Sequence, residues 1–372
     1  MHLLLPAFFI VPLLYAIIIV VCIVSLFKRN KRRAVPTHPF PGISIVIPFR
    51  NEADNLARLI DSLDAQTYPG ASEILLVNDG STDDFSKAIG RRSQQHDRPG
   101  LRIIESCYQP ATRLTSKQQA LDTGISAATY EWIALTDADM LLTPSWLETL
   151  IQPTFSGALL VFGHTSIFRE RTGSFFHWLQ SFQLEVLFSF AHAFNRAGIT
   201  GSCMGNNMLI SKQSFQDLGG FASIGYSIVE DLDLLAAFRK NKLPAAATEP
   251  FHISARTLPC GTISHYRQQL LRWAGGGFRK WSNLTFFGAV LMTHTALIFP
   301  AAAGRLPLIP SIAIMANLMA TWLFIIISFN KNKSHDNPLF FPLFFMLFLV
   351  EALFVLVNLP IKNRIVWKER KW

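Results

Sequence analysis

Apolar and polar positions follow one another in three different rhythms along this chain. The first is unbroken. Residues 3–27 carry no charge and run for roughly 25 positions, enough to span a bilayer. They stop at Lys28, Arg29, Asn30, Lys31, Arg32 and Arg33. A cleaved signal would place its positive charge before the apolar core. The reversed order predicts a retained anchor, with the N-terminus outside and the chain after Lys28 in the cytoplasm. Pro36 and residues 39–42 read as a short linker.

The second rhythm alternates strand and helix. Residues 43–48 predict a strand, and residues 51–63 a helix with Leu56, Leu59, Ile60 and Leu63 on one face. Strands at 73–77 and 101–104 follow, then a helix over 116–128 with Ser116 as its N-cap. The continuous apolar run Ile133, Ala134 and Leu135 suits a strand covered on both faces. This alternation predicts an α/β domain with a parallel, doubly wound sheet. Asp79 and Asp137, each at the end of a strand, then share one rim. Residues 175–194 are apolar and aromatic but interrupted by His177, Gln180, Gln183, Glu185 and His192. That pattern fits a helix lying on a membrane surface or roofing a site, and equally a buried core helix.

The third rhythm returns to long apolar runs, at 284–303, 306–329 and 339–359, with polar breaks at Gly304 and Arg305 and at 331–337. Composition agrees. Of 372 residues 50% are hydrophobic, 31 are Phe, and the mean hydropathy is +0.29, too apolar for an ordinary soluble domain. Only 16% are charged, yet the net charge is +9, which suits a cytoplasmic membrane face and anionic headgroups. No helix-turn-helix, zinc-finger or aromatic RNA-binding signature accompanies the charge, so nucleic acid is set aside as a partner. Cys22, Cys107, Cys203 and Cys260 are widely spaced, with no C-x-x-C pair, which fits a reducing compartment without zinc or a disulfide framework. Three crossings from the cytoplasm would leave the basic tail (Lys362, Arg364, Lys368, Arg370, Lys371) outside, against the charge rule. The run at 284–303, with Thr293, His294, Thr295 and Pro300, is therefore the one expected to be re-entrant or interfacial.

Candidate chemistry begins with Asp137 and Asp139, two carboxylates at i and i+2 after a buried strand. Strand ends of open α/β sheets face the ligand crevice. Two carboxylates there repel unless a cation intervenes, and a divalent oxygen-seeking metal holding a diphosphate meets that need. A polar turn closing the strand is the plain alternative. Four more stretches stand beside this pair. Ser44 to Glu52 is a strand with Pro48, followed by Asn51 and Glu52 at a helix start, where a carboxylate is favoured by the dipole. Asp79 precedes Gly80, which permits a tight turn, and Lys117 sits near a helix N-terminus, where a phosphate would explain an otherwise unfavourable charge. Glu230, Asp231 and Asp233 open another helix. Gln269, Arg272 and Trp273, at i, i+3 and i+4, share a helical face. Arg272 suits a diphosphate by charge and fork geometry.

Together these stretches, over roughly residues 44–273, resemble a membrane-bound family 2 glycosyltransferase of the GT-A fold, a Rossmann-like nucleotide-diphospho-sugar transferase. The resemblance implies that Pro48, Asn51, Glu52, Asp79, Lys117, Asp137, Gln269, Arg272 and Trp273 bind the nucleotide-sugar, with Asp79 reading the base. It implies a divalent metal, Mg2+ or Mn2+, on Asp139 and Asp137, with Asp139 the surer ligand. It makes Asp231 the catalytic base, which takes the acceptor proton during inverting transfer. Asn206, Asn207, Glu230 and Trp273 become acceptor contacts, and Gly275 to Gly277 a mobile gate. Asp122 departs from the family, which carries Asn there, and Cys203 reads as packing rather than nucleophile.

The expected organisation is a transmembrane anchor at 1–33, a cytoplasmic GT-A domain at 40–282, a membrane region at 284–360 and a basic tail at 361–372, in a multi-pass plasma-membrane enzyme. The expected reaction moves a sugar from a UDP-sugar to a hydroxyl of a lipid or lipid-linked acceptor. A processive polysaccharide synthase, with a glycan acceptor, is one alternative. A non-catalytic nucleotide-sugar-binding scaffold subunit is the other.

Overall fold

A computed structural model describes residues 4–28, 39–93, 100–168, 173–199, 201–248, 253–277, 290, 308–358, 366–367 and 370–371. The basic cluster from Arg29 to Arg33, the apolar run at 284–303 except Val290, and most of the 361–372 tail lie outside the described residues. In chain order the elements are α1 (Leu4–Phe27), β1 (Ile43–Phe49), α2 (Ala53–Asp64), β2 (Ser72–Asn78), α3 (Phe85–Ser93), β3 (Leu101–Glu105), α4 (Ser116–Ala127), β4 (Trp132–Leu135), β5 (Met140–Leu142) and α5 (Trp146–Ile151). Then come β6 (Leu160–Phe162), β7 (His164–Ile167), α6 (Phe175–Ala197), β8 (Met208–Ser211), α7 (Lys212–Asp217), α8 (Gly220–Ile224), α9 (Glu230–Lys240), β9 (Ala245–Ala247) and β10 (Ile253–Thr257). α10 (Ile263–Gly277), α11 (Leu308–Asn332) and α12 (Phe341–Asn358) follow, with a two-residue strand pair near the C-terminus. The chain divides into two compact units, residues 30–184 with 203–260, and residues 1–29 with 185–202 and 261–372.

The first unit is an α/β domain on a seven-stranded sheet in the order β3-β2-β1-β4-β8-β6-β9. β3, β2, β1 and β4 run parallel, as expected from the sequence. The sheet is nevertheless mixed rather than wholly parallel, because β8 runs antiparallel to both β4 and β6. After β4 the chain gives β5 to a small second sheet (β5-β10-β7), lays β6 into the large sheet, gives β7 to the small one and passes through α6 before β8 enters between β4 and β6. No single crossover helix links β4 to β8, so the return need not be parallel.

Residues of β1 alternate between two cores, as strand geometry requires. Ile43, Ile45 and Ile47 join Leu56, Leu59, Ile60 and Leu63 of α2 and Trp146 and Leu150 of α5. Val46 faces the other way, to Ala120, Leu121 and Ile125 of α4 and Leu235 and Phe238 of α9. α4 lies so close to the sheet that a Cβ at Gly124 would come within 2.4 Å of Val46 Cγ1, so glycine is needed there. Thr115, not Ser116, caps α4. Its hydroxyl accepts from Gln118 N at 3.1 Å while Gln118 Oε1 accepts from Thr115 N at 3.0 Å. α2 starts at Ala53 rather than Asn51, because Asn51 has φ of 53°, outside the helical region.

The second unit is helical. α1 packs on α11 through polar bonds in apolar surroundings: Tyr15 Oη with Thr321 Oγ1 at 2.7 Å, and Asn317 Nδ2 donating to Pro12 O at 2.9 Å. Lys331 Nζ donates to Leu26 O at 2.6 Å. The outer faces expose Leu13, Ile17 and Val24, then Met315, Met319 and Leu323, then Met346, Val350 and Leu353. Among the described residues two helices, Ser311–Asn332 and Pro338–Asn358, are long and apolar enough to cross a membrane. α6 contributes to both units. Its Gln180, Gln183, Glu185 and His192 are buried, which fits the core-helix alternative and not a helix lying on a surface. Gln180 brackets Cys260, donating to its carbonyl at 3.1 Å and accepting from its N–H at 2.7 Å.

Candidate active site

The rim of the first unit is built where β2 and β4 flank β1. Both pair with β1 in parallel, so the residues after their C-terminal ends emerge side by side. The loop after β1 is knitted to the loop after β2. Asn51 Oδ1 accepts from Thr82 N at 2.8 Å, Asn51 N donates to Ser81 Oγ at 3.1 Å, and Ala53 N donates to Asp83 Oδ2 at 2.8 Å. Arg50 Nη1 donates to Asp79 O at 3.2 Å, and Asp79 N to Phe49 O at 2.8 Å. Asp79 is thus held buried beneath Gly80, whose φ is 68°. Asn51 has a structural task here, tying two loops together. Glu52 stands at the N-cap position of α2 without a side-chain capping bond and accepts from Asn55 Nδ2 at 2.6 Å, and Pro48 lies half-buried near the end of β1.

Lys117 is the centre of the carboxylate cluster. Its Nζ stands 2.8 Å from Asp137 Oδ1 and 2.8 Å from Glu230 Oε1. Burial opposes its charge, but the two carboxylates outweigh that and hold its pKa above the ordinary lysine value. The sequence reading explained Lys117 by a phosphate; two protein carboxylates already account for it. Glu230, read from the sequence as an acceptor contact, is buried against this lysine and pairs with it through Oε1. Gln118, the next residue, ties α4 to the approach to α9, donating to Gly225 O at 2.8 Å and accepting from Ser227 N at 3.1 Å.

Asp231 lies in the first turn of α9. Its Oδ2 accepts from Gly205 N and its Oδ1 from Leu232 N, both at 2.8 Å. Burial, and then the negative charge of Glu230, push its pKa up to about 6, against the opposing pull of Lys117 and the two backbone N–H groups. A carboxyl poised near neutrality and held by the backbone is suited to accept a proton. Gly205 has no room for a side chain: a Cβ would stand 2.7 Å from Asp231 Cβ. Asp139 Oδ2 accepts from Thr257 Oγ1 of β10 at 3.0 Å.

Sequence reasoning missed Gly205 and Thr257. The contacts that reveal them span 26 and 118 residues, and no local pattern marks either. Asn207 is a correction. It is fully buried, accepting from Trp146 Nε1 at 2.9 Å and donating to His164 O at 3.0 Å, so it braces the core and cannot touch an acceptor. Asn206 Oδ1 bonds Thr165 Oγ1 at 3.0 Å. Cys203 is buried, and burial pushes its thiol well above the ordinary value, which disfavours a nucleophile. Gln269, Arg272 and Trp273, all half-buried, belong to α10 in the helical unit. α10 continues through Gly277, so the glycine triplet read as a gate is helical.

Comparison with known proteins agrees with this architecture. The family model described as glycosyl transferase family 2 matches residues 44–219, and that described as glycosyl transferase family group 2 matches residues 132–349, more than half of the chain. Among curated relatives, the glycosyltransferase GlyG of Streptococcus pneumoniae is 30% identical over 39% of this chain and 46% of its own length. A beta-monoglucosyldiacylglycerol synthase of Synechocystis is 23% identical over 77% and 58%. A 4,4'-diaponeurosporenoate glycosyltransferase of Staphylococcus aureus is 25% identical over 62% and 60%. The chain thus spans about half the length of the curated relatives it matches. In fold it is similar to a mannosyltransferase of Pyrobaculum calidifontis solved with GDP-Man and Mn2+, with a TM-score of 0.57, 17% identity and 95% of each chain covered. With the family model covering most of the chain and the mixed sheet matching in three dimensions, the chain belongs to glycosyltransferase family 2 and has the GT-A fold.

Proposed function

We infer that this protein is an inverting glycosyltransferase that moves a sugar from a nucleotide-sugar, UDP-linked by resemblance, to a hydroxyl of a lipid or lipid-linked acceptor at the cytoplasmic membrane face. One observation carries the reading. Asp231, fixed by two backbone N–H groups and brought near neutrality, adjoins Glu230, which is joined through Lys117 to the strand-end carboxylate Asp137. In the proposed step the acceptor hydroxyl gives its proton to Asp231 while its oxygen forms the new bond to the anomeric carbon. The bond from that carbon to the diphosphate breaks, and the nucleoside diphosphate leaves with the electron pair. Arg272 is assigned to that diphosphate, where its fork matches phosphate oxygens.

A divalent metal fits the donor set. Among the described residues no three His, Cys, Asp or Glu side chains gather as a metal-holding cluster. Mg2+ or Mn2+ held by one or two carboxylates, with the rest of its shell from phosphate and water, needs no such cluster. Asp139, oriented by Thr257, is the residue proposed to hold it, and Asp137 is committed to Lys117. Such a metal would neutralise charge on the departing diphosphate.

Support for a lipid acceptor comes from the two helices able to cross a membrane, and from relatives named for a glucosyldiacylglycerol and a diaponeurosporenoate. The test offers a panel of UDP- and GDP-sugars with native lipids and identifies products by mass spectrometry. A lipid carrying one added sugar is expected. Long glycan chains would favour a processive synthase, and no transfer with intact nucleotide binding would favour a scaffold. Orientation is checked on a native thiol. Cys107 is exposed and the other three cysteines are buried, so a membrane-impermeant thiol reagent should label Cys107 only in permeabilised cells.

A further inference from the structure

An acidic residue within a spanning helix is expensive, and it demands a partner. Glu351 lies inside the apolar helix Pro338–Asn358, and its partner is Tyr266 of α10, whose hydroxyl donates to Glu351 Oε1 at 2.7 Å. One turn further along, the Arg267 guanidinium stands 5.2 Å from the Phe354 ring centroid. Glu351 and Phe354, at i and i+3, share one face of α12, and the adjacent residues Tyr266 and Arg267 meet both. Tyr266, Leu270 and Leu271 are buried.

α10 therefore has two faces. At about 100° per residue, Tyr266, Arg267, Leu270 and Leu271 form one side. Gln269 and Arg272 lie away from it, turned by about 130° and 170° from the middle of that side, while Trp273, seven residues after Tyr266, falls within about 20° of Tyr266. A helix held by two neighbouring polar contacts on one side cannot rotate about its axis without breaking them.

We propose that the Tyr266–Glu351 hydrogen bond is a positioning device: it fixes the rotation of α10 on the membrane helix α12, and so the direction in which Gln269, Arg272 and Trp273 are presented to the nucleotide. Glu351 and Tyr266 are positioning residues that act through Arg272, and this rests on the assignment of Arg272 to the diphosphate. The observation favouring this over simple packing is chemical. An apolar pair would pack two helices as well in lipid, with no acid to satisfy; a directional bond between a fixed hydroxyl and a fixed carboxyl additionally sets register.

The test uses the full-length protein in detergent or nanodiscs, with UDP and GDP as calorimetric probes beside donor KM and kcat. Y266F removes only the hydroxyl and keeps ring volume. It should weaken binding of the cognate nucleotide about three- to tenfold, the loss of one hydrogen bond's worth of alignment, and raise donor KM more than it lowers kcat. E351L should be at least as damaging, and adding Y266F to E351L should worsen it little, since the Tyr266–Glu351 bond is already lost. E351Q keeps an acceptor for the tyrosine and should restore near wild-type affinity, which a failure of folding would not allow. Arg272→Ala separates the two readings. If Arg272→Ala weakens nucleotide binding while Y266F leaves it within twofold, the positioning role is overturned and the diphosphate assignment stands. Should Arg272→Ala leave binding unchanged, the diphosphate assignment falls, and the positioning role with it. E351Q as damaging as E351L would also overturn the proposal, because the bond would then be beside the point.

Discussion

The two units of this protein bury polar groups for different ends. In the α/β unit the buried and half-buried ionisable groups converge: Lys117 is shared between Asp137 and Glu230, and Asp231 is held by the backbone of Gly205 and Leu232. In the helical unit they are dispersed as single bonds between helices, Tyr15 to Thr321, Asn317 to Pro12 and Ser189 to Ser328. Convergent groups perturb one another's charge and create reactivity. Isolated bonds between apolar helices mainly choose which helices meet. Polarity therefore means chemistry in one unit and assembly in the other.

The largest expected effect breaks the convergence at its reactive end. Asp231→Asn keeps shape but loses basicity, and should lower the transfer rate about 10²- to 10⁴-fold with nucleotide affinity little changed. Single-turnover rates beside a UDP titration measure both. Loss of UDP binding instead would mean that the residue serves the donor. Next, Gly205→Ala forces a Cβ against Asp231 and should lower kcat by at least about tenfold while leaving the nucleotide affinity intact. Unchanged kcat would show that the 2.8 Å bond from Gly205 does not position the base.

A subtler change moves the pH profile. Wild-type activity should fall as pH drops through about 6, where Asp231 takes up its proton. Lys117 opposes that protonation, so Lys117→Met should shift the acid limb upward in pH. A limb that stays put, or moves down, contradicts the coupling.

Asp122 sharpens the contrast from the stability side. Burial raises its pKa to about 6, against the opposing pull of the Phe221 N–H. The folded state then binds a proton more tightly than the unfolded chain, so stability is lost as pH rises from about 4 to about 6. Above that window the charged carboxylate carries its full penalty. Asp122→Asn should therefore stabilise the protein by roughly 1–2 kcal/mol at pH 7.5 and by almost nothing at pH 4. Melting temperatures at the two values check the sign. The smallest effect belongs to the helical unit, where Tyr15→Phe should cost about 0.6 kcal/mol in a membrane unfolding assay, with transfer activity unchanged. A large loss of activity would give the α1–α11 bond more than an assembly role.

Much of this was legible before any coordinates. Strand-then-carboxylate at Asp79 and Asp137, the two-sided burial of β4, and the apolar runs are local patterns, and short-range sterics and hydrophobicity read them without knowing the rest of the chain. The acid-rich start of α9 is of the same kind. What sequence could not decide was anything that depends on which segments meet. Asn207 looked like a polar loop residue, yet the fold seals it against Trp146. Lys117 read as a phosphate ligand, and that α9, on the same face of the sheet, brings Glu230 to it was visible only in the fold. β8 could run either way until its long excursion ended, and the antiparallel return made the sheet mixed. Identity and spacing determined the candidate chemistry and the apolar segments; tertiary contact alone determined the charge state of Asp231, the partners of Asp139 and the pairing of Tyr266 with Glu351, because a pKa and a hydrogen bond are properties of neighbours brought together by folding.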